Sequence, residues 1–453
     1  MALIISVSGI RGIVGVDLKV ADAMKLGMLF GTVLVDKNKP VILAGDSRVS
    51  GSALRSAVSA GLMAVGRDVI DIGVVSTPGA CLMVRELGAA GAAVVTASHN
   101  PFEWNGIKLI GPDGLAFDVR RAQEIKDRFY AESPAHVTAG ECGQFCFNTE
   151  THKIHVQRVL ETCDPKLLDA VRERRFKVVL DSINGAGCVG TAMLMKELNC
   201  ELIHINNEPN GRFAHTPEPI VENLTSLADA VKNARADVGF AQDPDADRLA
   251  IVDENGTYIG EEYTLVLAGW HVLERAPGPV AVNLSTSRMI EDVAANYGQK
   301  VIRTPVGEAN VARAVIDHHC PFGGEGNGGV ILPKVVPVRD SFSGMAMILQ
   351  LLVRTGKTVS QLVAEVPKYS MIKTKFPCDL SAVPALIEKL AKQYADEQVN
   401  TADGLRIDWP AKKSWVHIRG SNTEPIIRVI AETPEESGTK ELIESMAKSA
   451  GLK

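Results

Sequence analysis

No run of three or more consecutive lysines or arginines occurs in the chain, and its formal charge is −6. That absence argues against nucleic acid or an anionic membrane as a partner, so any basic group that handles an anion must act locally. Long apolar stretches are missing too: the longest, around Met345–Val353, is far too short to span a bilayer. The start, Met-Ala-Leu-Ile-Ile-Ser-Val-Ser-Gly, lacks the basic opening of a signal peptide. Cysteine pairing is equally poor. Of eight cysteines only Cys142 and Cys146 lie close together, at a spacing that matches no common zinc pattern. The expectation from these absences is a cytoplasmic protein with reduced thiols.

What remains is an ordinary globular composition, 46% hydrophobic and 23% charged over 453 residues, enough for two to four domains at roughly 100–200 residues each. Three segments share a plan. Pro40–Asp46 reads as an apolar strand ending in small polar residues, followed by a helix over 52–66 and a strand over 68–73. Phe176–Asp181, a helix over 188–198 and Glu201–Ile205 repeat it, and Pro279–Asn283, 289–296 and Lys300–Arg303 repeat it again. Strand, helix, strand at this length is the βαβ unit. From about Tyr369 the strands (373–376, 405–409, 415–419, 426–431) cluster without helices between them, flanked by helices over 380–394 and 440–447. The sequence therefore predicts three related α/β domains with mixed sheets and a smaller C-terminal α+β domain, arranged around a central cleft. The expected boundaries are 1–150, 151–256, 257–369 and 370–453.

Four segments carry candidate chemistry. Thr96-Ala-Ser98-His99-Asn-Pro101 ends the apolar run Ala92–Thr96 and projects a serine hydroxyl from a rigid strand end, where a nucleophile or phosphoryl carrier is useful; an ordinary turn is the plainer alternative. Asp243-Pro-Asp245-Ala-Asp247-Arg248 sets three carboxylates at alternate positions, which repel unless a hard divalent cation sits among them. A calcium EF-hand loop competes, since Glu254 falls at its twelfth position, but Arg248 replaces its glycine and the flanks read as strands. Phe322-Gly-Gly-Glu325-Gly-Asn327-Gly-Gly329 surrounds a carboxylate and a carboxamide with glycines, a combination suited to sugar hydroxyls. Arg419-Gly-Ser421-Asn422-Thr423-Glu-Pro425, with Arg428 opening the next strand, makes an anion nest. Arg11 and Lys108 read as further cations in loops near strand ends. Gly185-x-Gly187-x-x-Gly190 and Gly356-Lys-Thr358 imitate nucleotide motifs, but an intervening Asp181 and a missing first glycine disqualify them. His318-His319 reads as a helix end.

Taken together, these segments resemble the α-D-phosphohexomutase family along essentially the whole chain, one motif in each inferred domain and in the family's order. The resemblance implies that Ser98 carries the phosphoryl group and that Asp243, Asp245 and Asp247 hold Mg²⁺ with a phosphate oxygen on Ser98. It implies that Glu325 and Asn327 read sugar hydroxyls, and that Arg419, Ser421, Asn422, Thr423 and Arg428 bind phosphate. Arg11, His99, Lys108 and Arg248 match positions around the transferred phosphate, with Lys108 or a neighbour as general acid or base. The implied substrate is a hexose phosphate, the implied activator a hexose 1,6-bisphosphate, and the implied assembly a monomer or homodimer. Departures concern the sugar: many bacterial relatives have Ser and His where this chain has Asn327 and Gly329, and Thr304-Pro305 carries a proline where relatives often have lysine. The start and the Glu-Gly-Asn-Gly-Gly loop are most similar to a prokaryotic branch described as phosphoglucosamine mutases. Phosphomannomutase/phosphoglucomutase is the alternative, followed by a metal-dependent sugar phosphatase and a non-catalytic sugar-phosphate sensor.

Overall fold

Central strands of the first three domains are apolar and fully covered, the pattern of parallel strands with helices on both faces. A computed structural model describes residues 4–6, 9–131, 134–421 and 425–452. In the first domain the strands Val69–Val74, Val41–Gly45 and Gly91–Val95 run parallel in that spatial order, and Trp104–Ile110 pairs antiparallel beside the last. The second domain repeats this with Glu201–Ile205, Lys177–Asp181, Val238–Gln242 and the antiparallel Leu249–Val252. The third repeats it with Val301–Thr304, Val280–Asn283, Phe322–Glu325 and the antiparallel Gly329–Ile331. The expected three related mixed sheets are present, and they share one topology. The first sheet is extended to seven strands by Ile4–Ser6 and Gly9–Ile13 on one side and Phe145–Phe147 on the other.

This topology decides where the chemistry sits. In each copy the third strand runs parallel to the second, and the chain then reverses into an antiparallel partner. The reversing loop therefore lies at the carboxyl edge of the sheet, where ligands of open α/β sheets bind. Those three loops are the Ser98 segment, the Asp243–Arg248 segment and the Glu325–Gly328 segment. The C-terminal domain differs as anticipated: five antiparallel strands in the order Ser370–Pro377, Ile426–Thr433, Ser414–Gly420, Leu405–Trp409, Gln398–Asn400, packed against helices Val383–Gln393 and Glu436–Ala450.

One continuous apolar cluster runs through the first three domains, from Leu82 and Val84 through Val156 and Phe240 to Leu265 and Ile348. The C-terminal domain keeps its own core around Leu390, Ile407, Val429 and Met446. It meets the third domain through polar contacts: His417 Nδ1 with Ser285 Oγ (2.9 Å), Arg406 to the Leu284 carbonyl (2.5 Å), and Arg288 N–H to Glu432 (2.9 Å). Such an interface permits domain motion. Among the described residues no helix is long and apolar enough to cross a membrane.

Two motif-like glycine runs have plain structural roles. Gly185 N–H donates to the Ser182 carbonyl (2.7 Å) in the tight turn before helix Gly187–Glu197. Gly356, at φ 67°, ends the helix Ser341–Thr355 in the left-handed conformation, and Thr358 caps the helix Val359–Glu365. One expectation is corrected. Arg11 and Lys108 lie within strands, Gly9–Ile13 and Trp104–Ile110, not in loops. Asn105-Gly106 imitates a turn, but the Asn105 side chain is buried, donating to Ser50 Oγ (2.9 Å) and accepting from Gly106 N–H (2.8 Å). Its polar groups are satisfied without leaving the sheet.

Candidate active site

Ser98 adopts φ 51°, a left-handed conformation unusual for serine, so its loop must be held from outside. The clamp is Arg48. Its guanidinium donates to the carbonyls of Ser98 (2.6 Å), Asn100 (2.7 Å), Pro101 (2.6 Å) and Trp104 (3.0 Å), and its Nε to Asp46 (3.1 Å). Asp46 also accepts from Thr96 Oγ1 (2.6 Å), whose oxygen accepts the Ser98 N–H (2.9 Å). Both members of the Arg48–Asp46 pair have side chains with no solvent exposure. The serine is thus fixed by its backbone, leaving Oγ free for chemistry. That oxygen donates to Asp243 Oδ2 across the domain boundary (3.0 Å) and lies 3.3 Å from His99 Nδ1.

Asp243, Asp245 and Asp247 are completely buried, each offering an oxygen within 4.8 Å of the others'. Asp245 Oδ1 and Asp247 Oδ1 have no hydrogen-bond partner. Buried carboxylate oxygens are rarely left unpaired, so a compact all-oxygen set aimed at one point fits a hard divalent cation. Burial, followed by repulsion from Asp247 and Asp245, holds the Asp243 carboxyl well above its ordinary range. Burial acts the same way on Asp245 and is the largest single influence, but the Lys108 ammonium 2.7 Å away, the Thr77 hydroxyl and Arg339 together outweigh it and hold that carboxyl below its ordinary range. Lys108 is in turn raised: burial alone lowers it, yet Asp245 and Asp247 more than compensate. His99 is pushed down to about 3 by burial and by Arg248, and is neutral. Arg248 Nε stands 4.0 and 3.9 Å from Asp243 and Asp247. Arg11 donates to Asn100 Oδ1 at 3.4 Å, its guanidinium lowered by burial and by Arg248.

The third loop faces this cluster. Glu325 Oε1 accepts from Asn283 Nδ2 (2.8 Å) and Gly307 N–H (3.3 Å), and Oε2 from Arg339 (2.8 Å). Arg339 also donates to Asp247 Oδ2 (2.6 Å), so one guanidinium joins the acidic loop to the sugar-loop candidate. Asn327 Oδ1 is buried without a partner. Thr304 ends its strand, donating to the Pro305 carbonyl (3.0 Å). Beneath the loop lies Glu262, accepting from Ser287 N–H (3.0 Å) and raised to about 8 by burial, with Lys373 the main opposing charge. A Cβ at Gly326 would stand 2.0 Å from its carboxylate.

In the C-terminal domain Arg419 pairs with Asp403 (3.2 Å), which also accepts from Val306 N–H (3.0 Å). Arg428 lies directly opposite Arg419 on the adjacent strand. Two like charges so placed repel, an arrangement that suits an anion between them. Ser421 is buried with its N–H on the Ile426 carbonyl (2.9 Å). Asn422 and Thr423 lie outside the described residues.

Family models match the chain in four consecutive pieces, described as phosphoglucomutase/phosphomannomutase alpha/beta/alpha domains I (residues 3–136), II (153–256) and III (260–369), and C-terminal domain (372–449). The chain belongs to this family of phosphohexomutases. It is 38% identical, over 96% of each chain, to a phosphoglucomutase/phosphomannomutase of Thermococcus kodakarensis. It is 36% identical to a probable phosphoglucosamine mutase of Methanopyrus kandleri, covering 96% of this chain and 95% of the relative. A crystal structure of a family protein from Burkholderia thailandensis superposes with TM-score 0.87 at 26% identity, covering 99% of this chain and 97% of that one.

Sequence reasoning missed several groups that organise this mutase's cleft: Arg48, Thr77 (donating to Asp245, 2.7 Å), Glu308, Arg339 and Asp403. Only Asp46 and Asn283 carried a signal, as polar residues closing apolar strands. Two predictions follow from the geometry. Arg48→Met leaves Asp46 buried without its cation and four carbonyls without a donor. It should destabilise the first domain by about 3–5 kcal/mol in denaturant titration and disorder the serine loop. Glu262 holds a proton in the folded protein that the unfolded chain releases above its ordinary range near 4.5. Its contribution to stability should therefore be lost progressively as pH rises from about 4.5 to about 8. Glu262→Gln should flatten that decline, and equal slopes for both proteins would refute the assignment.

Proposed function

We propose that this mutase interconverts hexose 6-phosphate and hexose 1-phosphate by intramolecular phosphoryl transfer through phosphorylated Ser98, with glucosamine phosphate as preferred substrate. The observation that carries this reading is the Ser98 hydroxyl 3.0 Å from Asp243, facing a carboxylate triad with unpartnered buried oxygens. Mg²⁺ is the cation proposed there; bound by Asp243, Asp245 and Asp247 it would supply charge neutralisation at the transferring phosphoryl group. The family structure of N-acetylphosphoglucosamine mutase from Aspergillus fumigatus is described in complex with GlcNAc-6P and magnesium.

The chain's own residues do the rest. Arg48 fixes the Ser98 backbone, while Lys108, Arg248 and Arg11 supply positive charge around the phosphoryl oxygens. Lys108 is held protonated by two aspartates, which suits charge stabilisation and proton donation rather than proton abstraction. As the bond from phosphorus to Ser98 Oγ breaks and the bond to the free hydroxyl of the hexose phosphate forms, Lys108 donates a proton to Ser98 Oγ and the proton lost by the sugar hydroxyl restores it, giving a hexose 1,6-bisphosphate. After the sugar turns, Ser98 takes the other phosphate back, and added bisphosphate serves as activator by recharging Ser98. Glu325 and Asn327 would hold the sugar hydroxyls, and Arg419 with Arg428 the phosphate not being transferred.

The relative named phosphoglucomutase/phosphomannomutase supports glucose or mannose phosphate as the second reading. A kcat/KM comparison of glucosamine, glucose and mannose phosphates separates the two, glucosamine being expected highest. Chelation should abolish turnover and Mg²⁺ restore it. Ser98→Ala should abolish turnover with little change in stability, because Arg48 and Thr96 hold the loop by its backbone and the hydroxyl adds one hydrogen bond, to Asp243; full activity in that variant, or phosphate release as sole product in the native enzyme, overturns the mechanism.

Arg419→Ala should weaken hexose-phosphate binding by about 2 kcal/mol, roughly thirtyfold, the scale of a hydrogen bond to a charged group. Free 1,6-bisphosphate should accumulate during turnover of that variant. An unchanged KM with no intermediate in solution would remove the C-terminal loop from the model.

A further inference from the structure

Gly329 closes the loop that carries Glu325 and Asn327, and opens the strand Gly329–Ile331. Nothing in the backbone demands this glycine. Its φ lies outside the left-handed range, so a side chain is excluded by space alone. A Cβ built there would lie 2.1 Å from Arg339 Cδ and 2.8 Å from its Cγ. Arg339 cannot yield. It is buried, with Nη2 on Asp247 (2.6 Å), Nη1 on Glu325 (2.8 Å), its backbone N–H on Glu308 Oε1 (2.7 Å) and Nε 3.6 Å from the same carboxylate.

We propose that Arg339 is a specificity-determining positioning residue: its aliphatic stem fills the space a side chain at 329 would need, and its guanidinium sets the sugar-reading carboxylate of Glu325 against the acidic loop. This rests on the phosphohexomutase reading above. The physical argument is one of degrees of freedom. A glutamate with three rotatable bonds beside two glycines has no orientation of its own. Here Arg339 fixes one carboxylate oxygen, while Asn283 and Gly307 hold the other. Arg339 is anchored in turn by Asp247, so the reader's position is defined relative to the acidic loop rather than to its own flexible segment. Charge supports the same placement: Asp247, Glu308 and Glu325 all pair with Arg339, which reduces their mutual repulsion. A planar fork spans two carboxylates, whereas an ammonium is a single point.

The test measures binding as well as turnover. Dissociation constants for glucosamine 6-phosphate and mannose 6-phosphate are determined by calorimetry in chelator, and kcat/KM is measured with Mg²⁺. The proteins are the native chain, Arg339→Met, Arg339→Lys, Gly329→His and the double variant Gly329→His/Arg339→Ala. The native protein should discriminate between the two sugars. Arg339→Met and Gly329→His should each narrow that ratio by about tenfold, and Arg339→Lys should fail to restore it. The double variant, with room made for the imidazole, should bind both sugar phosphates more tightly than Gly329→His alone, a non-additivity expected only of residues sharing one space, but should not regain discrimination because Arg339 is gone. If the single variants lower kcat while leaving the ratio of dissociation constants unchanged, or if the double variant binds no more tightly than Gly329→His, the proposal is wrong. Should Arg339→Met not fold, Gly329→His and the double variant still decide it. Failure of the native protein to bind either sugar phosphate sinks the phosphohexomutase reading itself, and is seen before any variant is made.

Discussion

Buried negative charge at the cleft floor is the constraint on which the arrangement of the first three domains depends. Asp243, Asp245 and Asp247 are enclosed and mutually close, and an uncompensated cluster of that kind costs several kcal/mol per ion. Arg248 is the only nearby cation on the same loop. Lys108 comes from the first domain and Arg339 from the third, and Thr77 reaches Asp245 from a helix of the first. Separating these domains strands charge on both sides, so the contacts that join them are also those that build the site. The continuous apolar cluster through the three domains matches this: nothing in their packing calls for independent movement.

Repetition of one sheet topology explains why three unrelated chemistries meet. A parallel strand that reverses into an antiparallel neighbour always leaves its loop at the carboxyl edge. The first copy fills that loop with a hydroxyl, the second with carboxylates, the third with a carboxylate and an amide among glycines. Each loop is anchored at both ends by strand pairing, and an arginine from outside it fixes its side chains or backbone, Arg48 in the first copy and Arg339 in the third. Ser98 shows how far this can be pushed. Its left-handed backbone is tolerated because Arg48 saturates the carbonyls around it.

The strand-ending loops were legible in the sequence because apolar runs terminating in Ser-His-Asn-Pro, Asp-Pro-Asp or Gly-Glu-Gly combine two independent signals, burial and a turn. The organising arginines were not legible, for a physical reason. Arg339 precedes Asp340, which caps the helix Ser341–Thr355, and an arginine before a helix cap looks like surface charge. Its partners Glu325 and Asp247 are 14 and 92 positions away and become neighbours only when the domains pack. Arg48 is similar, its four carbonyl acceptors lying 50 to 56 residues downstream. Lys108 was recognised as a cation but placed in a loop, since Asn105-Gly106 reads as a turn until the buried contacts of Asn105 are seen. Local pattern reports the edges of strands; it carries no information on which distant charge will be required to neutralise them.

The C-terminal domain stands apart from this logic, and its difference bears on the kind of reaction the cleft suits. It has its own core, and it meets the third domain through hydrogen bonds and ion pairs such as Lys373 with Glu261 and Lys413 with Asp292. In the proposed reaction a bisphosphate must turn end over end beside a fixed phosphoryl site without escaping. A rigid fourth wall would hold one orientation too well, and no wall would release the intermediate. A separately folded unit on a polar interface, carrying facing arginines Arg419 and Arg428, can loosen while the charge-locked floor of the other three domains stays in place. Hydrolysis would need no such division, because water takes the phosphoryl group and the sugar leaves once. The contrast between a floor locked by buried charge and a cap attached through polar contacts is thus the feature of the fold that favours transfer within one substrate over release of phosphate.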